Sequence, residues 1–150
     1  MPGSKKRGTV QIMLITQSAI DVRYPDMDAM GIVHHAVYPI WYEVARMDFF
    51  DKAGLSHVRM QEYGVDPVMV NLNMNYKAPV RYPGRVYIRT NVLSFAPKKL
   101  ELGYEITVPG REEPVATATS FHIWTGPDFK AYSVEENNPE IYKLIIQAAT

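Results

Sequence analysis

One apolar segment, residues 37–53, constrains the fold more than any other part of the chain. Its large side chains recur three and four positions apart, which predicts a helix that is apolar around most of its circumference. These residues are Val37, Ile40, Trp41, Val44, Met47, Phe49, Phe50 and Ala53. Pro39 suits a first helical turn, and Gly54 is typical of the position after a helix end. Because such a helix is usually buried, the rest of the chain has to enclose it.

After this helix the hydrophobic period changes from that of a helix to that of strands. Alternating apolar residues, separated by proline and glycine, predict strands at 68–76, 85–94, 99–108 and 115–125, after an early strand at 17–24. Shorter helices are predicted at 56–63, with Ser56 as the cap, and at 139–148. One early strand, one long helix and several antiparallel strands indicate an α+β fold in which a sheet curls around the helix. Other folds that pack a helix on a sheet fit this pattern as well.

The loop before the long helix carries the residue types of a reactive site. Asp28 precedes the helix, and His35 lies about where the helix begins. A helix start presents backbone N–H groups without intrahelical partners, so it favours an oxygen that gains negative charge. A carboxylate beside such amides suits attack on a carbonyl. The residue types alone also fit a plain loop in which Asp26 and Asp28 bond nearby backbone amides.

The same segment resembles the signature of hotdog-fold thioesterases of the 4-hydroxybenzoyl-CoA thioesterase and YbgC type. The matching residues are Tyr24, Asp26, Asp28, Gly31, Val33, His35, Tyr38, Tyr42, Glu43 and Arg46. The likeness extends more loosely over about residues 18–125. It implies an α+β hotdog fold, an antiparallel curved sheet wrapped around a long central helix.

The resemblance also implies roles for individual residues. Asp28 would be the general base or nucleophile, and Asp26 would order the loop. The backbone N–H of His35 would polarise the thioester carbonyl, while its imidazole either assists or is simply hydrogen-bonded. The substrate would contact Gly31, Val33, Tyr38, Lys98 and Lys99, the two lysines holding coenzyme A phosphates. Two adjacent lysines more often form only a solvated turn, and Gly31 is equally consistent with an ordinary turn glycine.

The activity implied is hydrolysis of acyl-CoA, with acyl-carrier protein as the alternative carrier, by a homodimer or homotetramer that completes each site between subunits. No cofactor is implied beyond the coenzyme A of the substrate. Two alternatives stay open: a non-catalytic acyl-CoA-binding module on the same fold, and a hotdog dehydratase or hydratase. The second is disfavoured because a D-x-N-P-x-H segment is absent.

Composition excludes several other classes of protein. Lysine plus arginine equal aspartate plus glutamate at 16 each, so the overall charge does not attract nucleic acid or an anionic membrane. No apolar run reaches the roughly 20 residues that a membrane-spanning helix needs. The absence of cysteine excludes a thiol nucleophile and is compatible with the cytoplasm, which we expect as the compartment. Residues 1–10 are predicted to be a flexible tail, and 11–150 a single domain.

A metal site is the remaining chemical alternative. The chain has possible ligands in Asp26, Asp28, His34, His35, His57 and His122. Adjacent histidines point in different directions in regular structure, and no H-x-x-x-H pair occurs. We therefore expect no bound metal.

Overall fold

A computed structural model describes residues 13–150, and the predicted tail at 1–10 lies outside them. The strands are β1 (Thr16–Asp21), β2 (Asp66–Tyr76), β3 (Arg85–Ala96), β4 (Lys99–Thr107) and β5 (Ala116–Thr125). The helices are α1 (Tyr38–Lys52), α2 (His57–Tyr63), α3 (Val134–Asn137) and α4 (Pro139–Ala149). Short 3-10 turns at Tyr24–Asp26 and His35–Val37 lie between β1 and α1. The predicted α+β class is confirmed.

Within residues 13–150 the strands form a five-stranded antiparallel sheet in the order β1-β3-β4-β5-β2. The strand that follows the long helix in sequence therefore lies at one edge, and the strand that precedes the helix lies at the other. Alternate residues of the central strands face inward and are buried, notably Val86, Ile88, Leu100, Leu102, Tyr104 and Ile106. This period-two burial is what one covered sheet face produces.

The predicted long helix is present as α1, with one face packed against the sheet. Its buried residues are Tyr38, Trp41, Tyr42, Ala45, Phe49 and Phe50. Ser18 of β1 donates from Oγ to Oδ2 of Asp48 at 2.6 Å, which ties the helix to an edge strand. The prediction that α1 is buried on most sides needs one correction. Ile40 and Val44 are 58% and 43% exposed, because the sheet covers only one side of the helix.

Both ends of the first two helices follow the sequence prediction. Pro39 lies in the first turn of α1, and Gly54 follows its end with a φ of +86°. The Leu55 N–H donates to the carbonyl of Phe50 at 2.8 Å, as expected where a left-handed residue ends a helix. Ser56 caps α2 by accepting from the N–H of Arg59 at 3.1 Å. These signals are local, so they could be predicted from neighbouring residues.

The structure adds one element that the sequence pattern did not predict, the four-residue helix α3. Ser133 begins it by accepting from the N–H of Glu136 at 3.2 Å. Such a short helix has too few residues to show a hydrophobic period. Among the described residues, no helix combines the length and apolarity required to cross a membrane.

Candidate active site

The loop between β1 and α1 is organised by the first of its two aspartates. Asp26 is only 2% exposed. Its carboxylate accepts from the backbone N–H of Arg23 at 2.8 Å and from Nη2 and Nε of the same arginine at 2.9 and 3.2 Å. The Asp26 carbonyl accepts from the N–H of His34 at 2.8 Å, which closes the loop at its other end. All these bonds are internal to the loop, and they agree with the ordering role predicted for Asp26.

The second aspartate has different surroundings. Asp28 is partly exposed, and its Oδ1 accepts from the backbone N–H of Met30 at 2.8 Å. Its own N–H donates to the carbonyl of Ile32 at 2.8 Å. The bond to Met30 is the backbone contact that a loop aspartate ordinarily makes. Because Oδ2 has no hydrogen-bond partner within residues 13–150, the carboxylate keeps an oxygen that a substrate or water can reach.

The helix start after the Asp28 loop presents an amide without a hydrogen-bond partner among the described residues. Nδ1 of His34 accepts from the N–H of Ala36 at 2.9 Å, and the His34 carbonyl accepts from the N–H of Val37 at 3.0 Å. The N–H of His35 makes no hydrogen bond to any described residue. The 3-10 turn at His35–Val37 continues directly into α1, so this free donor lies at the electropositive end of a long helix.

Asp28 and His35 line the same cavity, which has a volume of about 420 Å³ and is called the Asp28 cavity below. Its lining residues are Asp28, Met30, Ile32, Val33, His35, Tyr38, Tyr76, Lys77, Ala78 and Pro79. Most of the wall is apolar, and the polar groups lie at the helix start and the end of β2. This combination suits an acyl chain with a reacting carbonyl at its polar end.

Four of the residues that the sequence indicated are therefore together in this cavity: Asp28, Val33, His35 and Tyr38. Gly31 does not line it. Instead Gly31 turns the loop with a φ of +74° and donates its N–H to the carbonyl of Asp28 at 3.0 Å. A side chain would be strained at this φ, which explains a glycine here without a substrate contact.

Lys98 and Lys99 lie in a second cavity of about 390 Å³, called the lysine cavity, with Ala96, Pro97, Ser133 and Glu136. Lys99 pairs with Ile123 in β5, whereas Tyr76 of the Asp28 cavity pairs with Ala116. Seven residues of β5 separate these positions, which is about 23 Å at 3.3 Å per residue. Within one chain the lysines and Asp28 are therefore at opposite ends of the sheet.

Two polar residues of the Asp28 cavity were not indicated as site residues by the sequence, Tyr76 and Lys77. The Tyr76 hydroxyl donates to the carbonyl of His35 at 3.0 Å, and its ring packs edge-on against Tyr38 with centroids 4.8 Å apart. Burial raises the pKa of both tyrosines, so their hydroxyls stay protonated at neutral pH. Neither residue carried a signal in the sequence, because each reaches the loop only through the position of β2.

The remaining candidates are placed away from this chemistry. Arg46 does not pair with Glu43, and instead donates from Nη1 to the hydroxyl of Tyr104 at 3.3 Å. His122 is fully buried among strand residues. Across residues 13–150, no group of three or more histidine, aspartate or glutamate side chains is arranged to hold a metal ion.

Comparisons with known proteins place this geometry in a family. Residues 22–127 match the thioesterase-like superfamily. YneP of Bacillus subtilis, whose name carries a provisional acyl-CoA thioesterase assignment, is 35% identical over 111 residues, covering 74% of this chain and 80% of YneP. The acyl-CoA thioester hydrolase YbgC of Escherichia coli is 32% identical over 75 residues, covering 50% of this chain and 56% of YbgC.

The fold is also similar to solved structures. The DHNA-CoA thioesterase from Staphylococcus aureus superimposes with a TM-score of 0.83 at 29% sequence identity, over 90% of this chain and 91% of that protein. A hypothetical protein from Thermus thermophilus gives a TM-score of 0.79 at 30% identity, over 87% of this chain and 96% of the other. The predicted hotdog fold is confirmed, and the chain belongs to the thioesterase-like superfamily.

Proposed function

We propose that this protein hydrolyses acyl-CoA thioesters in the Asp28 cavity. The observation that carries the proposal is that a carboxylate with a free oxygen and an unpartnered helix-start amide line one largely apolar cavity. The names of the thioesterases YneP and YbgC support the same reaction. We propose the cytoplasm as the compartment, since coenzyme A is part of the substrate and the chain has no cysteine to oxidise.

In the general-base route, Asp28 removes a proton from a water that attacks the thioester carbonyl. The carbonyl oxygen becomes an oxyanion about 2.7–3.1 Å from the N–H of His35. As the intermediate collapses, the C–S bond breaks, the carboxylic acid is released, and the coenzyme A thiolate receives the proton from Asp28. In the alternative route Asp28 attacks the carbonyl itself, coenzyme A leaves as thiolate, and water hydrolyses the mixed anhydride.

The same site has to hold the long coenzyme A moiety, for which we propose a homodimer. Strand β2 is one of the two edges of the sheet, and its Met69 and Val70 are 42% and 53% exposed. Exposed apolar edges of this length pair readily with another strand. Antiparallel pairing of two β2 strands about Asn71 would bring the Asp66 end of one copy beside the Tyr76 end of the other.

This pairing would bring together two cavities that lie far apart within one chain. Each lysine cavity lies beyond the Asp66 end of β2, since Asp66 pairs with Thr125 and Lys98 accepts from the N–H of Trp124 at its carbonyl. Lys98 and Lys99 of one copy would then approach the Asp28 cavity of the other. Their charges suit coenzyme A phosphates, and the substrate would span both subunits.

The direct test is turnover of Asp28→Asn on a panel of short, long and aromatic acyl-CoA substrates. The free thiol of coenzyme A can be read with a thiol reagent, because the protein contains no cysteine. The asparagine oxygen can still accept from the N–H of Met30, so the loop should keep its shape. We expect kcat to fall about 100-fold or more, with KM changed only slightly, because a proton acceptor is lost while binding contacts remain.

Asp128→Asn is the matched control. Oδ1 of Asp128 accepts from the N–H two residues later, that of Lys130, at 3.2 Å, in a loop outside the Asp28 cavity. Its kcat should equal that of the wild type. An unchanged kcat in Asp28→Asn would remove Asp28 from the mechanism. Tight acyl-CoA binding by the wild type would favour a non-catalytic binding module if no thioester is turned over, whether the acyl group is carried by coenzyme A or by acyl-carrier protein.

A further inference from the structure

The proposed oxyanion donor depends on how well its turn is held. Every other N–H of the turn is occupied: that of His34 by the carbonyl of Asp26 at 2.8 Å, that of Ala36 by Nδ1 of His34 at 2.9 Å, and that of Val37 by the carbonyl of His34 at 3.0 Å. These bonds all come from residues within the loop itself. They hold the turn's shape, while its position over the sheet depends on α1, into which it continues, and on contacts from outside the loop.

Within residues 13–150, one hydrogen bond joins this turn directly to a strand of the sheet. The Tyr76 hydroxyl, at the last residue of β2, donates to the carbonyl of His35 at 3.0 Å across 41 residues of sequence. The backbone of Tyr76 is itself fixed by pairing with Ala116 in β5. The edge-on contact between the rings of Tyr38 and Tyr76, with centroids 4.8 Å apart, keeps the phenol directed at the turn. Both tyrosines and His35 line the Asp28 cavity.

The carbonyl and the N–H of His35 belong to successive peptide planes. Holding the carbonyl limits rotation of the residue and therefore the direction of its N–H. Stabilisation of an oxyanion is steeply geometric, because the donor must already lie where the charge develops. A turn free to rock against the sheet would present the amide at a range of angles and lose part of this effect.

We propose that Tyr76 is a positioning residue, whose hydroxyl holds the His35 carbonyl so that the His35 amide stays presented to the reacting carbonyl in the Asp28 cavity. This inference rests on the proposed thioester hydrolysis and adds a residue to it. Tyr76 acts through His35 and does not itself take part in proton transfer. If the turn were already rigid through its own bonds, removing the Tyr76 hydroxyl would leave kcat unchanged.

The test is Tyr76→Phe, which keeps the ring and its contact with Tyr38 but removes the hydroxyl. We expect kcat to fall about 10-fold while KM stays within about 2-fold, because the lost interaction acts on the transition state. The carbonyl ¹³C resonance of His35 should shift in the NMR spectrum of the free protein, since its hydrogen bond is lost. The thermal midpoint should stay close to that of the wild type, since the hydroxyl is at a partly exposed position.

Tyr142→Phe is the matched control, because its ring also packs edge-on, against Phe95 with centroids 5.8 Å apart, and lies outside the Asp28 cavity. It should leave kcat and the His35 resonance unchanged. A Tyr76→Phe enzyme with wild-type kcat would overturn the inference, as would an increase in KM alone or a large loss of thermal stability. If Asp28→Asn abolishes turnover while Tyr76→Phe does not reduce it, the proposed function stands and only this inference fails. If the wild type hydrolyses no thioester, the proposed function fails, and the positioning role fails with it.

Discussion

At the scale of single residues, two aspartates two positions apart have opposite surroundings. Asp26 is buried, with its carboxylate held by Arg23, while Asp28 is partly exposed beside a cavity. A buried carboxylate that accepts several hydrogen bonds has little capacity left for a substrate. The difference follows from the loop path, in which the first aspartate turns inward and the second lines the same cavity as His35. Sequence spacing alone therefore indicates both aspartates as candidates. Their surroundings distinguish Asp26, which orders the loop, from Asp28, which is the reactive candidate.

His122 shows a second residue-scale effect away from the cavity. Its Nδ1 lies 3.1 Å from the carbonyl of Pro67, and its Nε2 lies 2.7 Å from Oγ of Ser120, which is 2.7 Å from the hydroxyl of Tyr104. Arg46 donates to the Tyr104 hydroxyl, which can therefore donate to Ser120, and Ser120 can donate to His122 when the imidazole is neutral. Nδ1–H then donates to Pro67, and Nε2 accepts from Ser120. Burial, with a smaller contribution from the charge of Arg46, lowers the pKa of His122 to about 4.

This lowered pKa predicts a loss of stability in mild acid. Between pH 6.5 and about 4 the unfolded chain binds a proton at His122 that the folded chain does not. The contribution is complete above pH 6.5 and is lost as the pH falls towards 4, and it is on the order of 3 kcal/mol. Urea unfolding of the wild type at pH 7, 5.5 and 4.5 measures it. His122→Gln should flatten this pH dependence, and the exposed-site variant His57→Gln should retain it; equal slopes for all three proteins would contradict the assignment.

At the scale of elements, helix α1 is the part of the fold on which the others depend. Its buried face fills the space under the sheet, and its first turn supplies the proposed oxyanion donor. The opposite face, with Ile40 and Val44, lies over a cavity that also contains Met47 and His57. Exposed apolar residues in such a row fit a subunit contact better than solvent. One helix thus contributes to the core and to the site, and it carries an exposed apolar row that is separate from the β2 edge.

Phe49→Ala tests how much the buried face contributes. The Phe49 side chain is 0% exposed and packs edge-on against Phe50 with ring centroids 6.1 Å apart. Removing the ring should lower the free energy of unfolding by about 3–5 kcal/mol, because both burial and a filled volume are lost. Urea unfolding gives this difference directly. Lys52→Ala, at the exposed end of α1, should change it by less than about 0.5 kcal/mol, and a similar loss in both variants would mean that the helix does not pack as described.

At the scale of the whole molecule, the two cavities at opposite ends of the sheet raise the question of which copy supplies which residue. Within one chain, Asp28 and the pair Lys98 and Lys99 lie at opposite ends of the sheet, and the corresponding positions are about 23 Å apart along β5. An isologous dimer through β2 repeats each contact twice, so each substrate would take Asp28 from one subunit and the lysines from the other.

Mixing two inactive variants tests this arrangement. Asp28→Asn and the double variant Lys98→Ala/Lys99→Ala should each be weak at low acyl-CoA concentration. Their mixed dimers would contain one intact site, so random mixing should restore about a quarter of the wild-type rate. Mass measurement in solution should give a dimer or a multiple of it. No recovery on mixing would place the lysines in the same subunit as Asp28 or outside the site, and a monomer with full activity would exclude the shared site.

The sequence by itself determined what depends on neighbours along the chain. The buried helix, its ends at Pro39 and Gly54, and a helix start with free amides after the loop aspartates follow from capping, turn geometry and hydrophobic period, which act over a few residues. The family signature added the hotdog arrangement and singled out Asp28.

The tertiary structure decided what depends on strand order and register. Tyr76 reaches the carbonyl of His35 across 41 residues only because β2 pairs with β5 at one edge of the sheet. The same pairing buries His122 and places Lys98 at the far end from Asp28. A strand's hydrophobic pattern says which face is covered, but not which strand lies beside it, since many orders bury the same apolar area. The contact that joins the proposed site to strand β2 is therefore one that no local pattern could have revealed.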